Sequence, residues 1–296
     1  MSDTVRIISV VILVALSFFC VQAGVFLCSG HKIKRNSRRT LVLLEIVTGI
    51  LLAFDSLAYI FRGSPGALGY HMVRASNFLV FFLNYVTAFF FCFYSCEFVK
   101  SDSLDFKILR SPRASVQNGI PIQLFVVFYI CLGGILLLVA SQFTNLLYYF
   151  DERNFYHRSA LYPLSVALGL SPGLITFSML YQRRKELPKN VLFSLAIYCV
   201  FPLAGVFLAL FFYGFSWINF GYGLGALHLF YSSLKLLEIE FYSDRSDVPP
   251  LDSKLQASCS SSRNEKENRQ QPFVAGRLLG FRWNSFNSHN HIDYRH

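Results

Sequence analysis

Three groups of side chains in this sequence have the type and spacing to bind or respond to something. The first is ionisable: Glu45, Asp55 and His228 fall inside long apolar runs. Lipid makes a charge costly there, so a retained one is a candidate functional group. The second is a polar stripe, Arg74, Asn77 and Asn84, at i, i+3 and i+10 of one segment with Phe78 and Phe81 between. Such a stripe faces a bundle interior or a water-filled cleft, as interhelical glue or as a ligand contact. The third is Tyr156-His157-Arg158, which closes a short segment opened by Asp151-Glu152-Arg153. It offers stacking, pH response and anion recognition where an external ligand would be met. Asp55 stands about two turns from the end of its apolar run, and Arg74 near the start of the next. The spacing predicts an intramembrane ion pair, Asp55–Arg74, with Arg62 as a competing partner and helix pinning as its alternative role. Glu45 and Glu97 fall near the other boundary, where snorkelling or pairing with loop Lys and Arg is expected.

Other chemistries lack their residues. The sequence has no phosphate-binding Gly-rich loop ending in Lys-Ser/Thr, no His-Glu-x-x-His helix and no Gly-x-Ser-x-Gly elbow. Lys235 is too close to the end of its run for a retinal Schiff base, and the third segment has no mid-span Asp as counter-ion. Cys92 and Cys96 share a helix face, but no further ligand stands near them in sequence. Cys20, Cys28, Cys131 and Cys199 also belong to apolar segments, where thiols pack as small apolar groups. Cys259 lies in a polar tail. No catalytic residue, cofactor or metal site is expected.

The elements that would position these groups are apolar runs of about 20 residues, the length that spans a bilayer. They fall at 5–27, 41–61, 77–98, 120–147, 161–181, 191–213 and 215–237. The first begins like a cleavable signal peptide, with Arg6 and later Val21-Gln22-Ala23. It continues to Leu27 and ends at a basic loop, which predicts an uncleaved helix. The last two runs are separated by little more than Gly214 and read as a tight helical hairpin. Ser165, Gly169 and Gly173, and again Gly221 and Gly225, recur every four residues, a spacing that marks close helix approach.

Composition agrees. Of 296 residues, 54% are hydrophobic and only 15% charged, against about 25% charged in soluble domains. The net charge of +10 sits in short clusters between apolar runs, which excludes a nucleic-acid-binding domain and fits anionic lipid. Lys32, Lys34, Arg35, Arg38, Arg39, Lys100, Lys107, Arg110, Arg113, Arg183, Arg184, Lys185 and Lys189 fall on one side. Only Arg6, Arg62, Arg74, Arg153 and Arg158 fall on the other. The positive-inside rule puts the first set in the cytoplasm and the amino terminus outside. The expected fold is therefore all-α, an integral membrane bundle of about seven transmembrane helices over 1–242. A polar cytoplasmic tail, 243–296, is expected to be disordered, since it has little apolar surface to bury.

Three stretches, Val73-Arg74-Ala75-Ser76-Asn77-Phe78-Leu79-Val80-Phe81-Phe82, residues 150–158 and Phe211-Phe212-Tyr213-Gly214-Phe215-Ser216, add a resemblance. Together they resemble the multi-span sensor region of histidine kinases and diguanylate cyclases of anaerobic Firmicutes, over roughly residues 5–240. The resemblance implies a sensor in a bacterial cytoplasmic membrane that signals through its last helix. It also implies an output domain, but the tail has neither the phospho-acceptor His box nor a Gly-Gly-Asp/Glu-Glu-Phe signature, and it is too short for either catalytic core. The expectation is a sensor or receptor module truncated before its output domain, its tail a frameshifted or decayed remnant. Its expected partner is the lipid bilayer, with a homodimer and a cytoplasmic signalling protein as further candidates. A small-solute transporter or channel subunit, with a polar path through Glu45, Asp55, Asn77, Asn84 and His228, and a structural membrane protein are the alternatives.

Overall fold

Apolar runs in this chain close their backbone hydrogen bonds within helices, as hydrocarbon surroundings require. The computed structural model describes residues 3–29, 35–100, 121–212 and 214–246. Seven helices follow in order: α1 (Asp3–Ser29), α2 (Arg35–Ile60), α3 (Gly66–Lys100), α4 (Ile122–Thr144), α5 (Tyr162–Gln182), α6 (Lys189–Phe211) and α7 (Trp217–Ser246). The basic residues Lys32, Lys34, Lys107, Arg110 and Arg113, and the tail from position 247, lie outside the described residues. The chain through Phe241 forms one compact unit. Of the next, Tyr242–His296, only the end of α7 is described.

Helices α1 to α6 are each long and apolar enough to cross a bilayer. Their outward faces confirm what composition suggested. Ile7, Val11, Phe18 and Phe26 on α1, and Tyr129, Leu136 and Phe143 on α4, are exposed. Contiguous apolar surface of this kind is tolerated in lipid, not in water. The chain is a multi-pass membrane protein.

Helix α7 departs from the other six. Asn219, Tyr222, His228 and three glycines dilute its apolar residues, and it does not meet the same length-and-composition measure among the described residues. Its glycines have a packing reason instead. A Cβ on Gly221 would stand 2.6 Å from the Phe201 carbonyl oxygen of α6, and one on Gly223 would meet Leu16 of α1 at 2.4 Å. A Cβ on Gly225 would meet the Tyr198 ring at 2.9 Å. Small residues thus let α7 press closely on α1 and α6. The α5 stripe behaves differently: nothing lies within 4 Å of a Cβ on Gly169 or Gly173, so the close approach expected there is absent.

The largest buried cluster joins Leu13 of α1, Leu52 of α2, Phe91 of α3, Tyr198 of α6 and Leu229 of α7. Phe91 and Tyr198 stack at 4.0 Å between centroids. A second cluster places Cys92 and Cys96 of α3 against Val127 and Cys131 of α4 and Met179 of α5. The two thiols sit there as small packed groups, and Cys96 Sγ lies 3.8 Å from Met179 Sδ.

A strand pair among the described residues was not foreseen. Tyr148–Phe150 (β1) and Tyr156–Arg158 (β2) pair antiparallel, with Tyr148 opposite Arg158 and Phe150 opposite Tyr156. Asp151 ties the turn by accepting the backbone N–H groups of Arg153 (3.0 Å) and Phe155 (2.8 Å). Asn154 takes the left-handed conformation, φ 61°, which Asn tolerates better than most residues. Tyr148 stacks on Phe81 of α3 at 5.2 Å, which anchors the hairpin to the bundle.

Candidate functional site

Asp55 and Tyr59, at i and i+4, share one face of α2, and Arg62 follows in the turn just past its end. That face meets Asn77, Asn84 and Tyr85 of α3, Tyr162 and Ser165 of α5, and Trp217 and Asn219 of α7 around a half-open cavity of about 230 Å³. Tyr156 and Arg158 of β2 reach its wall, so the cavity lies at the hairpin end of the bundle. One turn earlier on α2, Leu51 and Leu52 are fully buried.

Asp55 is the buried charge of this site. Asn219 Nδ2 of α7 donates to its Oδ2 at 2.8 Å, and the same nitrogen reaches Ser216 Oγ at 3.0 Å. Ser216 also hydrogen-bonds to the carboxylate. The expected ion pair with Arg74 is therefore corrected. α3 begins at Gly66, so Arg74 stands two turns inside that helix, and its guanidinium turns to the hairpin. Nη1 of Arg74 donates to Asn154 Oδ1 at 3.0 Å, while its Cζ lies 3.6 Å from the Tyr70 ring centroid and 4.9 Å from that of Phe150. Asn154 Nδ2 in turn donates to the Ser64 carbonyl at 3.0 Å. Arg74 thus clamps α3 to the hairpin, and Asn154 ties the hairpin to the α2–α3 connection.

The structure thus divides the expected contact residues. Asn77, Asn84, Tyr156 and Arg158 line the cavity with Asp55; Arg74 and His157 do not. His157 lies on the outer strand, stacked on Tyr149 at 5.1 Å, with Nε2 3.0 Å from Asp151 Oδ2. That bond, followed by those from Phe155 and Arg153, holds the Asp151 carboxyl below the usual carboxylate range. The two asparagines spend their amide nitrogens locally. Asn77 Nδ2 donates to Val73 O (2.8 Å) and Asn84 Nδ2 to Val80 O (3.0 Å). The buried Asn84 Oδ1 has no hydrogen-bond partner among the described residues. A buried acceptor left so costs about 1–3 kcal/mol, a cost that a ligand donor or a water would remove.

Asn219 and Ser216 complete the site and were not anticipated as members of it, while Arg62 was expected only as a competing partner of Asp55. Asn219 was legible as a polar residue inside an apolar run. Glu45 is fully buried, and neither carboxylate oxygen has a hydrogen-bond partner among the described residues. Glu97 Oε1 accepts from Thr40 Oγ1 at 2.7 Å, and the loop cations expected near it lie largely outside the described residues. No group of three His, Cys, Asp or Glu suited to a metal ion occurs among the described residues.

No protein-family model matches the chain, and neither does any curated protein or solved structure.

Proposed function

We propose that the chain is a membrane-embedded receptor module that takes a small polar molecule into the hairpin-end cavity and passes occupancy to α7. The observation that carries this reading is the Asn219–Asp55 bond, because it ties the cavity wall on α2 to the first turn of α7. A ligand that engages Asp55 competes with that bond, and the differential contact biases α7 between two positions. In this reading α7 is the seventh span, and the basic α5–α6 connection with Arg183, Arg184, Lys185 and Lys189 faces the cytoplasm. The hairpin and the cavity mouth then face outside, and the chain after α7 is cytoplasmic. The resemblance to bacterial sensor regions gives the same direction of signalling, towards a cytoplasmic partner, with no catalysis in this chain.

A solute transporter is the second reading, favoured by Glu45 and Thr48 below Asp55 on one face of α2. The fully buried Leu51 and Leu52 weigh against it, since they interrupt the polar residues of α2 between Thr48 and Asp55.

Ser194 of α6 and Ser232 of α7 meet at 2.8 Å far from the cavity. A chain with Cys at both positions, and its own cysteines replaced, reports α7 through the rate of disulfide formation. Asn219→Ala should change that rate; an unchanged rate would contradict transmission through α7.

A further inference from the structure

A cavity with a carboxylate at depth and a guanidinium near its mouth selects for charge at both ends of a solute. Asp55 lies in the last turns of α2 and Arg62 in the turn just past its end, seven residues along the chain. Among the described residues neither has an ion-pair partner, although both line the same cavity. Arg158 adds a second guanidinium to the wall, 4.4 Å from the Tyr162 ring centroid. A buried carboxylate with no ion-pair partner, as Asp55 is among the described residues, is costly until a counter-charge arrives. A plain anion would leave Asp55 unanswered, and a plain cation would leave Arg62 so.

From this we infer that the cavity binds a small zwitterion, with its ammonium on Asp55 and its carboxylate on Arg62. The inference rests on the receptor reading of the same cavity. The orphan Asn84 Oδ1 on the same cavity wall favours this polarity, because a buried acceptor calls for a donor, which an ammonium supplies and a carboxylate does not. The carboxylate of Asp55 keeps acceptor capacity beyond its bonds to Asn219 and Ser216. Tyr59, Tyr162 and Trp217 add aromatic surface, against which an organic ammonium or a ring is favoured. Size limits the solute: a cavity of roughly 150 Å³ takes benzene. About 230 Å³ therefore suits a single amino acid, ring included, and not a peptide.

The test uses the full chain in lipid nanodiscs, with Trp283→Phe so that Trp217 is the one remaining tryptophan of two. Phenylalanine is compared with its two half-charged analogues, phenylpropionate and phenethylamine, by Trp217 fluorescence. Phenylalanine should act at a concentration at least about tenfold below either analogue, the change that about 1.4 kcal/mol produces. Asp55→Asn should reduce it to the level of phenylpropionate, and Arg62→Gln to that of phenethylamine. Equal binding of either analogue to the unsubstituted Asp55/Arg62 chain would overturn the zwitterion and leave the receptor reading standing. Absence of response to all three would also overturn it. The receptor reading falls separately, if a thiol introduced at position 84 cannot be reached from water.

Discussion

Asn219 of α7 donates a 2.8 Å hydrogen bond to Asp55 of α2, and both residues line one cavity. This bond replaces the ion pair that spacing alone suggested. Asp55 is 6% exposed, so its carboxylate depends on Asn219 and Ser216 for donors. Asn219→Ala should lower stability by about 1 kcal/mol, the scale of interhelical polar contacts in membranes. Asn219→Asp should cost more, because it sets two carboxylates side by side, and Asp55→Asn in the same chain should restore most of the loss. Thermal unfolding in detergent of the three variants checks the order.

The α6–α7 seam gives a prediction about glycines. Gly221→Ala drives a Cβ to within 2.6 Å of backbone, which side-chain motion cannot relieve. It should destabilise by about 1–3 kcal/mol, as overpacking does. Gly173→Ala on α5 meets open space and should be neutral, or stabilising by about 0.5–1 kcal/mol through helix propensity. The two melting temperatures should move in opposite directions or by clearly different amounts.

Asn154 couples a backbone requirement to a side-chain clamp. Asn154→Gly keeps the positive φ but removes the bonds to Arg74 and Ser64, whereas Asn154→Ala removes both bonds and strains the turn. Ala should therefore be the worse substitution, by about 1 kcal/mol. Amide exchange of the β1–β2 hairpin resolves the difference.

The hairpin also sets a pH response. The Asp151 carboxyl is held below its usual range, so its bonds stabilise the folded hairpin above the unfolded value, about 3.9. That contribution is lost as pH falls through the lower folded value. Amide exchange at Arg153 and Phe155 should stay slow near neutrality, relative to a reference loop, and quicken only in acid below the ordinary carboxylate range. Asp151→Asn should remove the acid response.

Much of the bundle was legible in the sequence because hydropathy reports the solvent a helix faces. Helices α1 and α4, whose exposed faces are apolar, show this most plainly. Helix α7 was harder to read: it packs through glycines against α1 and α6, so contact rather than hydropathy defines it. Helix α3 begins eleven residues before its apolar run, since residues 66–76, a stretch broken by Gly66, Gly69, His71 and Arg74, are also helical. That extension explains why the partner of Arg74 was misjudged. Asn77, Asn84, Tyr156 and Arg158 were legible as candidates, but their convergence with Asp55 and Arg62 depends on the crossing of α2, α3, α5 and α7. Periodicity within one segment carries no such information. The β1–β2 hairpin was hidden because three-residue strands leave too short an alternation to read.

The most direct test of a one-ended ligand cavity is water access to position 84. A chain with its native cysteines replaced and Asn84→Cys is placed in sealed vesicles and treated with a charged methanethiosulfonate from either side. The account predicts rapid labelling from the hairpin side alone, with a Cys at Leu52 unlabelled from both. Labelling of position 84 from the opposite side, or from neither, would contradict it.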